Sequence, residues 1–465
     1  MTGVLNDKTN SRLNGAELVG GLFLVWAFVW DNARQRLGDA TNPTFALPIP
    51  RGTRFVEVFA LGALLVYVLL VHRQAAASWV SGTTLLLLGV LVTLCGSVVG
   101  VAGGYTTTLA ALNTGYAYLS PLVLAAVLSA LGRKRSDGTF LLTVFLGLVI
   151  LNSVVAWYQL GIQHEWGDAV HGAMHDAHMY ANVAWLGVLL VLARLYYTRL
   201  SWWWPAVLLL LFVPTAWAAQ HEMAAFAFSG VVAAGVFVLL WRRGLRWRLA
   251  VVSAYGVITV VLLSQVQSGA SFLSGLGRLE VVARNLPSLG IVKGYLATPS
   301  ALISTPQGLL VGTGPGSYGS AGAIQPVLTG GKPSPLVMRY TAESYEVNEA
   351  TRGFLGSFTQ SSTDLTAFLV EFGPFVSFCC ALTLWLLVAA PAIVATSSAT
   401  LSQRIAGLWV IASLAFLLLL SAGTAFYGWA VAHTSSFAVV AVGALLLRER
   451  ALRPTGAGPQ AVSSP

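Results

Sequence analysis

The stretch TPQGLLVGTGPGSYGSAGA, residues 305–323, sets Gly308, Gly312, Gly314, Gly316 and Gly319 around Pro315, with the small Ser317 and Ser320 among them. Glycines let backbone N–H groups approach an anion closely, so a phosphate cradle is the first reading. The soluble templates do not fit. No Lys-Ser or Lys-Thr follows the glycines, and no strand-then-helix unit surrounds them. A second cluster lies upstream, where His164, His171, His175 and His178 crowd together with Glu165, Asp168 and Asp176. His171, His175 and His178 are spaced i, i+4, i+7, so on a helix they share one face. Such a face could hold Zn or Cu, or form a substrate rim, or be a plain interfacial helix. His221 and Glu222 stand between two apolar runs, where charge is costly unless it is useful. They are functional candidates, set against an interfacial hairpin whose polar residues simply meet water. Asp364 ends the run SSTD, whose residue types favour a helix start.

These residues sit in an unusually apolar chain. Of its 465 residues 56% are hydrophobic and only 9% charged, with a mean hydropathy of +0.75. Soluble domains carry about 25% charged residues, so the composition predicts an integral membrane protein. The net charge of +9 does not point to nucleic acid, because the basic residues lie in short clusters between apolar runs. Cys95, Cys379 and Cys380 fall inside apolar runs and read as small buried hydrophobes. The first apolar run ends in FVWDNARQR, with no small-residue cleavage site, so no cleavable leader is expected.

Windows of about 18–25 apolar residues can cross a bilayer as helices. Twelve are read, at 15–30, 56–72, 79–102, 107–131, 139–161, 179–198, 203–218, 223–241, 249–266, 366–395, 405–423 and 428–447. The pair within 203–241 has hardly any loop between its members, leaving a tight hairpin or a single broken span. With the N-terminus inside, 16 of the 26 Lys and Arg fall on the inner side, which predicts cytoplasmic termini. Arg34, Arg36, Arg51 and Arg54 break the rule. The expected fold is an all-α integral membrane protein of about twelve transmembrane helices. Residues 1–266 carry nine of them, 267–365 form a large outer-face loop before the tenth, and 366–447 carry the last three. The tail 448–465 is disordered by composition.

The loop passes through Pro-x-Gly-Leu-Leu-x-Gly-x-Gly-Pro-Gly-Ser-Tyr-Gly at 306–319 and re-enters the membrane through DLTAFLVEFGPFVSF at 364–378. In this the chain resembles the O-antigen polymerase and O-antigen ligase family of bacterial envelope glycosyltransferases. The shared features are the glycine turn and a later helix carrying Glu-x-Gly, here Glu371-Phe372-Gly373. HGAMHDAHMYANVAWLGVLL, 171–190, is similar to the segment opening that family's central span. Two places depart from the pattern. Family ligases carry a His before the re-entering helix, where this chain has FTQSSTD, 358–364. Many members also carry Ser-Arg-Gly where this chain has Gln220-His221-Glu222. The first departure favours polymerase over ligase, and the second leaves one phosphate-binding cation unassigned.

The resemblance implies a sugar chain linked through pyrophosphate to a polyprenyl lipid, in the bacterial inner membrane. Pyrophosphate is already a good leaving group, so the chemistry needs cations to hold it and a group to position the acceptor hydroxyl. Arg278 and Arg284, with Lys293 behind them, are the candidates for the clamp, against a solvated basic face on an interfacial helix. Glu371 is the candidate for holding the arginines or activating the acceptor. His221 would contact phosphate or act as base, with Glu222 and Asp364 beside it as further catalytic candidates. Gly314, Gly316, Ser317, Tyr318, His175 and His178 would line the substrate. No metal or other cofactor is required when arginines carry the charge. A flippase and a chain-length regulator are the expected protein partners. The alternatives from other classes are a transporter or flippase of lipid-linked glycans and a metal-binding membrane protein.

Overall fold

The computed structural model describes residues 15–33, 53–71, 77–132, 138–174, 176–198, 203–219, 222–242, 290–305, 307–320, 335–336, 363–398, 400–423 and 433–446. Among them every regular element is helical. In chain order these are α1 (Gly15–Ala33), α2 (Thr53–Val71), α3 (Ala77–Ala102), α4 (Thr108–Leu131), α5 (Thr139–Gly161), α6 (Ala177–Tyr197), α7 (Trp203–Ala218) and α8 (Glu222–Arg242). Then come α9 (Gly290–Ile303), a single helical turn at Gly308–Val311, α10 (Asp364–Leu384), α11 (Leu401–Gly423) and α12 (His433–Leu445). A wider turn, Trp385–Ala389, carries α10 on to Ala395.

Eleven of the twelve apolar windows coincide with these helices, and the ninth, 249–266, lies outside the described residues. Among the described residues six segments are long and apolar enough to cross a membrane: Trp79–Ala102, Thr108–Leu131, Thr139–Gly161, Ala177–Tyr197, Asp364–Ala395 and Leu401–Gly423. Val56–Val71, Trp203–Ala218, Ala224–Val238 and His433–Leu445 are shorter apolar helices. The chain is therefore a membrane-embedded helical bundle. The segment 203–241 forms two helices: α7 packs on α6 and α5, and α8 on α11 and α6.

Helices at bilayer depth have no hydrophobic gain from meeting one another, so close packing of small residues must hold them. α3 shows how. Gly82, Gly89 and Gly96 recur every seven residues and Gly100 extends the same face. This seam lies against α10 and the segment before it: Gly82 meets Leu387, Gly89 meets Cys379, and Gly96 meets the Val311 carbonyl. The opposite face of α3 exposes Leu91, Leu94 and Val98. α4 and α6 are instead central, buried along most of their length.

Polar side chains complete the joints. Trp79 Nε1 donates to the Ala126 carbonyl at 2.8 Å, and Trp409 Nε1 to that of Leu186 at 3.0 Å. Asp31 Oδ2 accepts from both the N–H (2.9 Å) and the hydroxyl (2.6 Å) of Thr434, so a carboxylate of α1 caps the start of α12.

Candidate functional site

The site is built where α10 breaks. Pro374 has no N–H to offer the carbonyl four residues earlier, that of Val370. Gly373, at φ 79°, turns the chain out of helical geometry just before it. The freed acceptors are filled from 57 residues away in sequence. Thr313 N–H donates to the Val370 carbonyl at 3.0 Å, and Gly314 N–H to that of Glu371 at 3.1 Å. The two chains approach so closely that only glycine fits at the crossing. A Cβ on Gly312, itself at φ 76°, would lie 2.3 Å from the Glu371 carbonyl oxygen and 2.6 Å from the Gly373 nitrogen.

Beyond the crossing, the glycine turn wraps around the Glu371 side chain. Oε2 accepts from Gly316 N–H at 2.6 Å, and Oε1 from the N–H groups of Tyr318, Gly319 and Ser320, each at 2.9 Å. An ionised carboxylate is an acceptor at both oxygens, which matches four converging donors. The turn is thus an anion cradle, and its anion is the chain's own Glu371. Ser317 and Thr313 share a hydroxyl hydrogen bond of 2.6 Å, and Thr114 and Ser320 another of 3.3 Å. Thr106 Oγ1 donates to the carbonyls of Pro315 and Gly316 at 2.9 and 3.1 Å. Ser317, Tyr318 and Glu371 have no exposed surface.

Asp364 sits two turns above Glu371. The helix is capped by Thr363, whose hydroxyl accepts from Thr366 N–H at 3.2 Å while Thr366 Oγ1 accepts from Thr363 N–H at 2.8 Å. Asp364 is therefore not the cap. Its buried carboxylate accepts from the Tyr118 hydroxyl of α4 at 3.2 Å. The Tyr118 ring stacks on Phe368 at 5.0 Å and meets Phe372 edge-on at 5.3 Å, fixing the phenol's direction. α9 packs on α10 from another side, and Ala301 and Leu302 of α9 form one cluster with Tyr318 and Val370.

The structure thus gathers Gly314, Gly316, Ser317, Tyr318, Asp364 and Glu371 in one unit at the end of the bundle where α3 ends and α4 and α10 begin. The N–H groups of Gly314, Gly316 and Tyr318 face the Glu371 residue, and both Glu371 oxygens face the turn. Lys293 lies in the first turn of α9, and Glu222 opens α8. Arg278, Arg284, His221 and His175 lie outside the described residues.

The histidine segment is arranged differently from the expectation. α6 begins at Ala177, with the Asp176 carboxylate accepting from His178 N–H at 2.7 Å as its cap. His171 precedes that cap in a turn closed by its own carbonyl and Met174 N–H. The i, i+4, i+7 face does not form, because the helix starts only after the capping Asp176 and leaves His171 outside it. Among the described residues no group of three His, Cys, Asp or Glu could hold a metal ion. The segment is instead folded onto α5. Gln159 Oε1 accepts from the N–H groups of His171 and Gly172, and Asn152 Oδ1 from that of Ala173. Burial of His171 lowers its pKa from the usual imidazole value, opposed by nearby Glu165 and Asp176.

Tyr118, Thr106 and Thr114 were not singled out from sequence, being common residue types in apolar runs. The seven-residue glycine period of α3 was a readable signal for the face that receives the turn. No family model matches the chain, and no curated protein matches it.

Proposed function

We propose that the protein is a polysaccharide polymerase: a twelve-span glycosyltransferase of the bacterial inner membrane, both termini cytoplasmic, joining polyprenyl-pyrophosphate-linked oligosaccharide units on the outer face. The observation that carries this reading is the meeting of the glycine turn with Glu371-Phe372-Gly373. These two sequence features carry the resemblance to O-antigen polymerases, and they form one interlocked unit through the hydrogen bonds of Glu371.

In the proposed reaction an acceptor hydroxyl oxygen attacks the anomeric carbon of the donor sugar. The bond from that carbon to the pyrophosphate oxygen breaks and the configuration inverts. Arg278, Arg284 and Lys293 hold the departing diphosphate, so its growing charge meets fixed cations. Asp364, aimed by Tyr118, receives the proton of the acceptor hydroxyl. Glu371 acts through the turn, as a positioning residue. A flippase would supply the substrate and a length regulator would limit the product. The test is to incubate purified protein with a lipid-linked repeat unit and compare wild type with Arg278→Ala and Arg284→Ala. A product ladder lost in both variants supports the clamp; an unchanged ladder in both removes it.

One observation favours a second reading, a transporter of lipid-linked glycans. Broken helices beside non-helical segments are common at transporter binding sites, and α10 is broken at Gly373 against the glycine turn. The incubation separates the two, because a transporter leaves the donor chemically intact.

A further inference from the structure

We infer that α9 and the turn Gly308–Val311 are set into the bilayer itself and present a surface to lipid acyl chains. The turn is registered on α3: Val311 lies on Gly96, and Gly314 on Gly100. Gly96 is six residues before the end of α3 at Ala102, about 9 Å along the axis at 1.5 Å per residue. The span Trp79–Ala102 has 24 residues, about 36 Å on the same scale. A hydrocarbon core of about 30 Å centred on that span reaches to about residue 100. The Val311 carbonyl therefore lies several ångströms inside the apolar layer.

At that depth the side chains facing outward are apolar. Leu309 and Leu310, immediately before Val311, are 56% and 71% exposed. On α9, Leu296 and Ile303 lie seven residues apart on one face and are 70% and 68% exposed, while Ala301 and Leu302 are buried towards α10. The exposure matches that of the α3 residues bracketing Gly96, Leu94 at 53% and Val98 at 70%. The surface continues the lipid-facing belt of the spans, which selects acyl chains as its occupant over water or a folded partner. Irregular backbone at this depth needs its polar groups satisfied: Gly308 N–H bonds to the Thr305 carbonyl, those of Leu310 and Val311 to the Gln307 carbonyl, and those of the following Thr313 and Gly314 to the carbonyls freed at the α10 break.

The test uses full-length protein reconstituted in phosphatidylcholine nanodiscs. Exposed Cys95 is replaced by alanine, and Cys379 and Cys380, being buried, are left in place. Nitroxide labels at Leu310→Cys and Ile303→Cys are compared with Val98→Cys for collision with molecular oxygen and with a water-soluble nickel chelate. Oxygen-dominated collision at both sites, as at residue 98, is expected. Nickel-dominated collision at either site overturns the inference, and so does low collision with both reagents, which would mean a protein covers the face. The two labels sit on separate elements, so misfolding of one variant leaves the other to decide.

Discussion

The carboxylate of Glu371 receives the N–H of Gly316 at 2.6 Å, joining a helix to a turn 55 residues earlier in the chain. Three more N–H groups from the same turn complete the contact. A glycine-rich segment that reads as a cradle for a foreign anion is thus filled from within. Whatever the turn positions is then held by that carboxylate together with the Thr313 and Gly314 bonds to α10 and the Thr106 hydroxyl.

Replacing that carboxylate releases the turn. Glu371→Ala removes the carboxylate that four buried N–H groups share, each lost bond costing about 1–3 kcal/mol. Amide exchange over residues 312–320 should accelerate by at least about 100-fold. Glu371→Gln should recover only part of this, because its NH2 presents a donor where donors already converge. Mass-spectrometric hydrogen exchange on both variants decides the point; unchanged protection in Glu371→Ala would show that the turn is held by something else.

Two glycines of positive φ differ in what surrounds them, and Gly312 adds a ψ of −179°, a backbone region kept for glycine. Gly104 and Gly312 have φ of 72° and 76°. A Cβ on Gly104 meets nothing within 4 Å, whereas one on Gly312 strikes the Glu371 backbone. Gly104→Ala should cost about 1–2 kcal/mol, the left-handed penalty alone. Gly312→Ala should cost clearly more, read as a larger fall in melting temperature in detergent. Equal falls would mean that the crossing can relax.

Tyr118→Phe isolates the hydroxyl that aims Asp364 while keeping the ring stacked on Phe368. The stability loss should be about 1 kcal/mol. If Asp364 takes the acceptor proton, polymerisation should fall more steeply than stability, and Asp364→Asn should fall further. Turnover of lipid-linked donor beside melting temperature checks both; full activity in Asp364→Asn would end its role as base.

His171 supplies a pH dependence with a definite sign. Burial depresses its folded-state pKa below the unfolded value near 6.5. Below that value the unfolded chain binds the extra proton first, so stability is full above about pH 6.5 and declines as pH falls towards the lower folded value. Melting curves of wild type and His171→Gln from pH 5 to 8 should diverge in this direction. Parallel curves would show that the imidazole does not titrate differently on folding.

The sequence disclosed the helices better than their joints. α5 occupies the same residues in the reading and in the structure, 139–161, because a bilayer-length apolar run has few alternatives. The glycine turn and Glu371 were both recognised, but not that one binds the other, since their pairing depends on Pro374 exposing a carbonyl to a distant strand of chain. The histidine face failed for a local reason: an i, i+4, i+7 pattern ignored the capping preference of Asp176. Asp31 and Thr434 were invisible as a pair, because nothing in either run indicates that the first and last described helices meet.

The proposed transfer from a lipid-linked donor is tested by following the donor lipid itself. Proteoliposomes are loaded with a polyprenyl-pyrophosphate-linked repeat unit carrying label in both lipid and sugar. Sugar label should move into longer chains while one polyprenyl pyrophosphate is released per bond formed. Donor that remains intact, or merely changes leaflet, would contradict the proposed transfer.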